Sequence, residues 1–379
     1  MKKFRVGIVG MGFIGIAHID ALRRLGNVEI AAVCDAADLS AKQNWIQDAA
    51  VYKDYHEMFA KEKLDAVHIC TPNRLHFPVA MEALNREIAV VCEKPFTWSL
   101  EEAEQLSEIA EKKNIPNFIN YCNRFYPVVR EMRSRIKKGE LGDLILAEGG
   151  YRQDCLFKKT DFTWRMLSEN SGKTRVVADL GSHWFDLVEH LSNKKITAVL
   201  AQFKTQYPVR MQRQGGCETF QKSVDNVELK PVSVDTEDIA NVLFRMEDGA
   251  VGNAMFSQMC AGRKNELWIN LDGTQASFGW NLEKPEECTI GRRGEMTSLL
   301  RKDAEIMEEE NLCFAGYPAG HTEGFVDAIS HGFRQFYGYF GTEDEGRVYA
   351  DFRAGCRSML LAEKIYESAC KEQWVSLQE

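Results

Sequence analysis

The chain has 379 residues, of which 45% are hydrophobic and 27% charged, and its 47 basic and 56 acidic side chains give a formal net charge of −9. This composition is typical of a folded globular protein and excludes a disordered chain, a collagen or a coiled-coil rod. The length favours about two domains. Because Lys and Arg form no cluster, we expect no binding to nucleic acid or to an anionic membrane surface, which favours small-molecule chemistry.

The N-terminal segment and the cysteines indicate in which cellular compartment the protein is expected. Residues 1–17 have basic residues before an apolar run, as a secretory signal does, but four glycines interrupt that run. No apolar run reaches the roughly 18 residues that a membrane span needs. The eleven cysteines are scattered singly, outside the spacings of zinc ligands, and we interpret them as reduced thiols. We therefore expect a cytoplasmic protein without a bound metal.

The first 120 residues alternate apolar strands with helices. Helices are predicted after Gly15, from about Ala37, from Pro78 and after Ser99, where Glu102 completes a capping box. The strands are near-continuous apolar runs, as expected where helices cover both faces of a parallel sheet. This pattern predicts a doubly wound α/β domain over residues 1–123. The predicted strands are residues 4–9, 28–34, 66–70 and 88–92.

The rest of the chain has a different sequence pattern, with longer segments in which polar and apolar residues alternate. These segments predict an α+β domain over residues 124–379, built on an open, largely antiparallel sheet with one solvated face. Long loops are expected at residues 207–231 and 293–318. The last helix, residues 351–371, fits packing on either domain, including back on the first. The predicted strands are residues 144–151, 197–204, 239–246, 251–258, 267–271 and 276–280.

The strongest local motif is Gly10-Met11-Gly12-Phe13-Ile14-Gly15, between the first strand and the first helix. The first glycine permits a tight turn, the second lets a pyrophosphate approach the backbone, and the third lets helix and strand pack closely. Asp35 ends the second strand, where its carboxylate would accept hydrogen bonds from the ribose hydroxyls. Because no Arg follows it to receive a 2′-phosphate, NAD is favoured over NADP. The predicted cofactor residues here are Gly10, Gly12, Phe13, Ile14, Gly15 and Asp35.

Two further polar motifs, Cys70-Thr71-Pro72-Asn73 and Cys92-Glu93-Lys94-Pro95, lie just beyond the carboxyl ends of predicted strands, where open α/β sheets bind ligands. Lys94 could direct its charge at a substrate oxygen. A solvated lysine that closes a strand fits the same residues. The predicted cofactor site therefore also takes in Thr71, Asn73, His76, Glu93, Lys94 and Asn123.

Taken together, these motifs resemble the Gfo/Idh/MocA oxidoreductases, relatives of the inositol and glucose–fructose dehydrogenases, over nearly the whole chain. The motifs that carry the resemblance are the glycine fingerprint, Glu93-Lys94-Pro95, Asn123-Arg124, Trp164-Arg165 and Asp179-Leu180-Gly181-Ser182-His183. The resemblance implies an NAD-binding Rossmann domain, catalysis by Lys94, Asp179 and His183, a cis Lys94–Pro95 bond, and an open sheet used for dimer or tetramer contacts. The chain departs from the family at Ser171-Gly172-Lys173-Thr174-Arg175, where relatives often have a run of glycines.

The spacing of Asp179 and His183 points to a catalytic role independently of the family resemblance. If residues 176–191 form a helix, Asp179 and His183 are i and i+4 neighbours, close enough for the carboxylate to hold the imidazole. A solvated polar strip is the alternative. The apolar face of that helix would consist of Val177, Leu180, Trp184, Leu187, Val188 and Leu191.

Oxidation of a secondary alcohol needs a base for the hydroxyl proton and a partner for the developing charge. His183 would be the base, because an unperturbed imidazole pKa of about 6.5 leaves it neutral at cytosolic pH. Lys94 would stabilise the alkoxide character, and Asp179 would orient His183 or a neighbouring hydroxyl. No metal is required.

The substrate is expected to be a sugar, a glycoside or a cyclic polyol. His321 lies in a loop, residues 317–324, for which substrate contact and helix capping by Thr322 or Glu323 are equally compatible with the sequence. The predicted substrate-binding residues are Lys94, Arg124, Arg152, Trp164, Arg165, Asp179, His183 and His321.

Two other functions use the same residues or the same scaffold. One is a glycosidase that oxidises the sugar transiently and keeps NAD bound, and the other is a non-catalytic sensor of NAD and sugar. The simultaneous presence of Lys94, Asp179 and His183 argues against the sensor, which needs none of them. We expect a homodimer or homotetramer.

Overall fold

The computed structural model describes residues 3–213, 228–342 and 348–377. Its α-helices are α1 Phe13–Arg23, α2 Gln43–Ile46, α3 Tyr55–Lys61, α4 His76–Asn85, α5 Leu100–Lys112, α6 Pro127–Lys137, α7 Ser168–Ser171, α8 Ser182–Ser192, α9 Phe325–Gly338 and α10 Phe352–Lys371. A π-helix covers Val177–Gly181. Short 3₁₀ helices cover Ser40–Lys42, Asn73–Leu75, Cys122–Phe125, Trp164–Met166 and Glu309–Phe314.

The strands outnumber the helices. They are β1 Phe4–Val9, β2 Val28–Cys34, β3 Ala50–Tyr52, β4 Ala66–Ile69, β5 Ala89–Cys92, β6 Asn117–Ile119, β7 Leu144–Arg152, β8 Ile196–Lys204, β9 Val209–Arg213, β10 Leu229–Ser233, β11 Ile239–Met246, β12 Val251–Ser257, β13 Glu266–Gly273, β14 Ser277–Asn281, β15 Glu287–Gly291, β16 Ser298–Arg301 and β17 Val375–Ser376.

The chain forms two compact units. The sequence analysis divided it once, between residues 123 and 124, whereas in the structure a late segment also belongs to the first unit. The reason is aromatic packing within that unit: Phe333 and Phe336 of α9 contact Phe118 with ring centroids 5.9 and 5.8 Å apart. The first unit consists of Met1–Phe125 and Gly324–Met359, and the second of Tyr126–Glu323 and Leu360–Glu379.

The first unit is built on a six-stranded sheet in the order β3-β2-β1-β4-β5-β6, with every pair parallel. All residues of β4 and β5 are buried, which explains their continuous apolar sequences. The predicted doubly wound sheet is confirmed. Strands β3 and β6 were not predicted, because three residues are too few to show a periodicity. The order of the strands reverses between β1 and β4, so ligands are expected at the carboxyl ends of these two strands.

The second unit is built on a nine-stranded sheet in the order β16-β15-β14-β13-β7-β12-β11-β8-β17. Its pairs are antiparallel except β7 with β12, which run parallel, so the predicted largely antiparallel sheet is confirmed. Alternate residues of β11 are buried and exposed, as expected for a sheet with one covered face. On the covered side, the Trp184 indole of α8 donates a hydrogen bond to the Trp268 carbonyl at 2.8 Å.

The two predicted long loops contain regular structure, which corrects the sequence analysis. In the first, β9 and β10 form an antiparallel pair, and residues 214–227 between them lie outside the described residues. In the second, the chain forms β16 and the 3₁₀ helix Glu309–Phe314. Strand β10 is exposed along nearly its whole length, so it has no apolar face from which a strand could be predicted.

A buried cluster of charges joins distant parts of the second unit. Asp238 accepts hydrogen bonds from the guanidinium groups of Arg175 and Arg210, and the three side chains are inaccessible to water. Arg210 also donates to the carbonyls of Leu156 and Asp161, at 2.9 and 3.1 Å. Burial opposes ionisation of Asp238, but the two guanidinium groups outweigh it and lower its pKa. Arg175 is thus fixed by an ion pair just before the π-helix.

We expect Asp238→Ala to be severely destabilising, because it leaves two buried guanidinium groups without their shared carboxylate. Breaking a buried ion pair costs about 3–5 kcal/mol, whereas losing an exposed pair costs roughly 0–1 kcal/mol. Lys264→Ala, which breaks the exposed pair with Asp154, is the matched control. Urea unfolding followed by tryptophan fluorescence measures both. Equal midpoints for the two variants would contradict the role assigned to this cluster.

Candidate active site

The glycine fingerprint forms the turn between β1 and α1. Gly10 has a φ of +94°, and a Cβ there would lie 2.6 Å from the Cys70 carbonyl. A Cβ on Gly15 would lie 2.0 Å from the carbonyl oxygen of Gly10. At Gly12, by contrast, a Cβ would meet nothing within 4 Å. Gly10 and Gly15 are therefore required for close packing of the backbone, while Gly12 borders open space.

The N-terminus of α1 lies at this turn and has no side-chain cap. Gly12 is the N-cap residue, and the first turn of the helix has no acidic residue. Thr71, next to Gly10 after β4, has a buried hydroxyl oxygen without a hydrogen-bond partner in the described part of the chain. A helix N-terminus without a side-chain cap and an unsatisfied hydroxyl fit the pyrophosphate of a dinucleotide.

Asp35 is held in place beside the glycine turn. Its Oδ2 accepts the Met11 amide at 2.7 Å, and its Oδ1 accepts the Ala37 amide at 2.8 Å. Each carboxylate oxygen keeps a further lone pair, which fits a ribose hydroxyl. Two lysines that the sequence analysis missed also bind this loop: Lys42 donates to the Met11 carbonyl at 2.6 Å, and Lys53 donates to the Ala37 carbonyl.

After β4, the predicted residues Asn73 and His76 are both buried. The His76 ring lies between two segments of the site, with Nε2 2.8 Å from the Thr71 carbonyl and Nδ1 3.0 Å from the Pro95 carbonyl. Burial lowers the pKa of His76, against the carbonyls of Thr71 and Pro95, which act to raise it. His76 thus links the segment after β4 to the segment after β5.

After β5, Glu93 is buried and Lys94 is half-buried. The Lys94–Pro95 peptide is cis, as the family resemblance implied. Glu93 Oε1 lies 2.9 Å from His18 Nε2 and accepts the Asn120 amide at 2.6 Å. Burial acts to raise the pKa of Glu93, but its hydrogen bonds with His18 and Asn120 outweigh burial and the pKa is lowered.

The last predicted residues of the first unit follow β6. Asn123 and Arg124 lie in the 3₁₀ helix Cys122–Phe125, where Asn123 is buried and Arg124 is partly exposed. Gly10, Thr71, Glu93 and this short helix follow β1, β4, β5 and β6 respectively. Because these strands are parallel, the structure brings these predicted residues of the first unit to one edge of the sheet.

In the second unit, the predicted helix over residues 176–191 is a π-helix, Val177–Gly181, that continues into α8. The predicted apolar face is buried, as expected. Asp179 lies on the π-helix, a wider turn that is frequent at functional sites. Its Oδ2 accepts the side-chain amide of Gln258 at 3.0 Å, and its Oδ1 lies 3.9 Å from Arg165 Nε.

The neighbours of His183 and Asp179 are aromatic and cationic. The Tyr151 ring centroid is 6.3 Å from that of His183, and the Arg165 guanidinium lies over Trp164 at 4.5 Å. Arg152, also predicted to bind substrate, forms two contacts with the Glu266 carboxylate at 2.7 and 2.6 Å. The structure thus brings Trp164, Arg165 and Asp179 together.

His321 has an exposed side chain, and Lys302 holds the backbone of its loop. Lys302 is buried, donates to the His321 carbonyl at 2.5 Å, and binds the Glu323 carboxylate at 2.7 Å. Capping of α9 by Thr322 or Glu323, one of the two expectations, is wrong. The N-cap is Gly324, whose amide donates to Asp327 at 2.8 Å. Glu323 is instead used to neutralise Lys302.

Sequence reasoning missed Gln258 and Lys302, which contact predicted site residues from the segments that follow β12 and β16. Neither stands in a recognisable motif, so no local signal could have found them. No group of three or more His, Cys, Asp or Glu side chains suited to a metal ion occurs among residues 3–213, 228–342 and 348–377. No helix in the same ranges is long and apolar enough to cross a bilayer.

Comparison with known proteins places these features in a family. A sequence model described as an oxidoreductase family with an NAD-binding Rossmann fold matches residues 4–121, and the Gfo/Idh/MocA C-terminal domain matches residues 129–279. Levoglucosan dehydrogenase from Pseudarthrobacter phenanthrenivorans is 25% identical, over 100% of this chain and 99% of the relative.

Solved structures agree on the fold. The structure of a levoglucosan dehydrogenase complex with NADH and L-sorbose has a TM-score of 0.89 at 22% identity, over 100% of both chains. An inositol dehydrogenase homologue from Azotobacter vinelandii, complexed with NADH and myo-inositol, has a TM-score of 0.83 at 24% identity, over 99% of this chain and 98% of that one. The chain is a member of the Gfo/Idh/MocA family of NAD-binding oxidoreductases, and NAD is its cofactor.

Proposed function

We propose that this chain is a dehydrogenase that oxidises a secondary alcohol of a sugar, a glycoside or a cyclic polyol and prefers NAD to NADP. The observation that carries the proposal is the arrangement around Asp179, whose carboxylate is bound by Gln258 and lies beside Arg165, one turn before His183. Levoglucosan, L-sorbose and myo-inositol in the names of related proteins support this substrate class.

His183 is the general base in this proposal. Its imidazole takes the hydroxyl proton while the carbon loses hydride, which a neutral histidine can do near pH 7. Asp179 acts on the orientation of that imidazole or of a neighbouring substrate hydroxyl. Gln258 supports this role because its amide occupies one oxygen of the Asp179 carboxylate and limits how that carboxylate can turn.

Lys94 donates a hydrogen bond to the same alcohol oxygen and stabilises its developing negative charge. NAD supplies the hydride acceptor when it is bound. The residues that hold it would be those of the glycine turn and Asp35, with Thr71, Asn73, His76, Glu93 and Asn123 after the following strands.

The remaining predicted residues would bind substrate. The Trp164 face with Arg165 over it offers the mixed aromatic and hydrogen-bonding surface that sugars require. Arg124 and the exposed His321 would add donors. Arg152 is bound to Glu266, so we assign it to the shape and charge of the pocket wall.

We also propose a homodimer or homotetramer in the cytoplasm. The exposed face of the second unit's sheet presents Ile145, Leu243 and Val251, with 54%, 49% and 49% of their surface exposed. Apolar side chains on a sheet face of this kind are suited to contact with a second copy. The ten described cysteines are all free thiols, as expected in a reducing compartment.

We expect Gly12→Val to weaken NAD binding by about 100-fold or more without loss of stability, because the new side chain enters the open space where the pyrophosphate would approach. Gly15→Val is the contrasting variant, since its Cβ collides with the Gly10 carbonyl and must disturb the fold. NADH titration by fluorescence and thermal melting separate the two effects. A Gly12→Val protein with normal NADH affinity would contradict the proposed cofactor site.

We expect Lys94→Ala to lower kcat by about 10²–10³-fold, because it removes a charged donor to the developing alkoxide. NADH affinity should change little. The measurement is NADH absorbance against a panel of sugars, glycosides and inositols, with NADP as a comparison. Lys61→Ala, a change at an exposed lysine of the same unit, is the matched control and should leave kcat unchanged.

Two results of this assay would overturn the proposal. Retained turnover by Lys94→Ala would remove its assigned role. Cleavage of an aryl glycoside with catalytic NAD and no accumulation of NADH would identify the transiently oxidising glycosidase instead.

A further inference from the structure

A chain of buried polar side chains ends at Glu93, the residue before Lys94. Tyr337 Oη lies 2.8 Å from His68 Nε2, and His68 Nδ1 lies 2.9 Å from His18 Nδ1. His18 Nε2 in turn lies 2.9 Å from Glu93 Oε1. Both imidazoles are 0% exposed, and Phe333 contacts them edge-on at 4.8 and 4.7 Å. The sequence analysis gave His18, His68 and Tyr337 no role.

The chain has a fixed direction at its Glu93 end. Burial lowers the pKa of His68 and raises that of Tyr337, so both are neutral near pH 7. Because ionised Glu93 can only accept, His18 donates to it from Nε2. His18 Nδ1 and His68 Nδ1 share one hydrogen bond, and His68 Nε2 bonds the Tyr337 hydroxyl, which can donate or accept.

The chain acts on Lys94 through the second oxygen of Glu93. Glu93 Oε2 accepts the backbone amide of Lys94 at 3.2 Å, while Oε1 receives His18 and the Asn120 amide. Both carboxylate oxygens are thus engaged, one by the buried network and the other by the main chain of the lysine. A rotation of the Glu93 carboxylate would break one set of contacts or the other.

We propose that His18 and His68 are positioning residues for Lys94: they hold the Glu93 carboxylate in one orientation, and Glu93 fixes the backbone from which the Lys94 side chain projects. This inference rests on the proposed role of Lys94 in hydride transfer. His68 holds the His18 ring at Nδ1 so that Nε2 faces Glu93, and Tyr337 holds the His68 ring in the same way.

Other titratable groups around Glu93 do not compete for this role. The Cys70 thiol lies 3.4 Å from His18 Nδ1 and is a second, weaker partner of the same nitrogen. Burial, assisted by the charge of Glu93, raises the thiol pKa values nearby, so these thiols stay neutral. Burial lowers the pKa of His76. The groups in question are Cys70, Cys92, Cys122 and His76.

The expected effect of losing His18 is a change in pH dependence. In the wild type the Glu93 pKa is lowered, so its carboxylate is lost only when the pH falls below the usual carboxyl range. Without the His18 donor, burial dominates and the pKa rises, so Glu93 becomes protonated at a higher pH. The pH at which the Glu93 carboxyl titrates, followed by ¹³C NMR of protein labelled at its glutamates, should then move up by about one pH unit or more.

The experiment compares three histidine variants. His18→Leu should lower kcat about 10- to 100-fold, because Lys94 is misplaced, and should raise the Glu93 pKa, because a donor is lost. His18→Gln, which keeps a donor toward Glu93, should restore most of kcat and the wild-type Glu93 titration. His56→Leu, at an exposed histidine, is the matched control and should behave as wild type. NADH affinity should stay within about threefold in all of them, as expected of a change confined to positioning.

Two outcomes would overturn the inference. One is a His18→Leu enzyme with the wild-type kcat and Glu93 titration, and the other is a His18→Gln enzyme as impaired as His18→Leu. If the wild type forms no NADH with any substrate of the panel, the proposed function fails, and a measurement without turnover tests the buried chain.

That measurement is ¹⁵N NMR of protein labelled at its eight histidines. At pH 7, His18 should carry a proton on Nε2, because the Glu93 carboxylate can only accept there, with signals assigned from the His18→Gln and His68→Asn variants. A His18 ring protonated on Nδ1 alone would overturn the inference whether or not the enzyme turns over.

Discussion

Contact of backbone with backbone at the glycine turn is the constraint on which the first unit's site depends. The Cβ positions of Gly15 and Gly10 lie 2.0 and 2.6 Å from carbonyl groups of neighbouring segments. Any side chain at either position would push α1 away from β1 and β4. The open space at Gly12, with uncapped amides behind it, exists because its two neighbouring glycines allow such close packing. The open space beside a helix N-terminus, an arrangement that favours an anion, is thus a consequence of how helix and sheet pack.

In the second unit, a glycine likewise allows close packing, here between a helix and the sheet. A Cβ on Gly149 of β7 would lie 2.7 Å from the indole nitrogen of Trp184, so glycine lets α8 approach the sheet closely. The π-turn that precedes α8 then presents Asp179 to Gln258 at the end of β12. Small residues in the sheet and a wide turn in the helix together determine where the carboxylate lies.

Features that depend on local sequence could be predicted, and those that depend on distant contacts could not. Continuous apolar runs predicted β4 and β5, and spacing placed Asp179 and His183 on one helix. The His18 network could not be predicted, because its hydrogen-bonded partners are separated by up to 269 positions. The ion pair of Arg175 with Asp238 and the short β9–β10 pair are likewise set by tertiary contacts, since neither gives a periodic signal.

Two buried glutamates, Glu237 and Glu93, have pKa values shifted in opposite directions. Burial raises the pKa of Glu237, although its carboxylate accepts the backbone amides of Arg175 and Val177. Burial acts in the same direction on Glu93, yet hydrogen bonds from His18 and Asn120 and the charge of Lys94 lower its pKa. The difference lies in the donors: Glu237 receives backbone amides and only weakly the charge of Arg175, whereas Glu93 has side-chain donors in His18 and Asn120. A negative charge beside Lys94 is therefore retained because buried side chains donate hydrogen bonds to it.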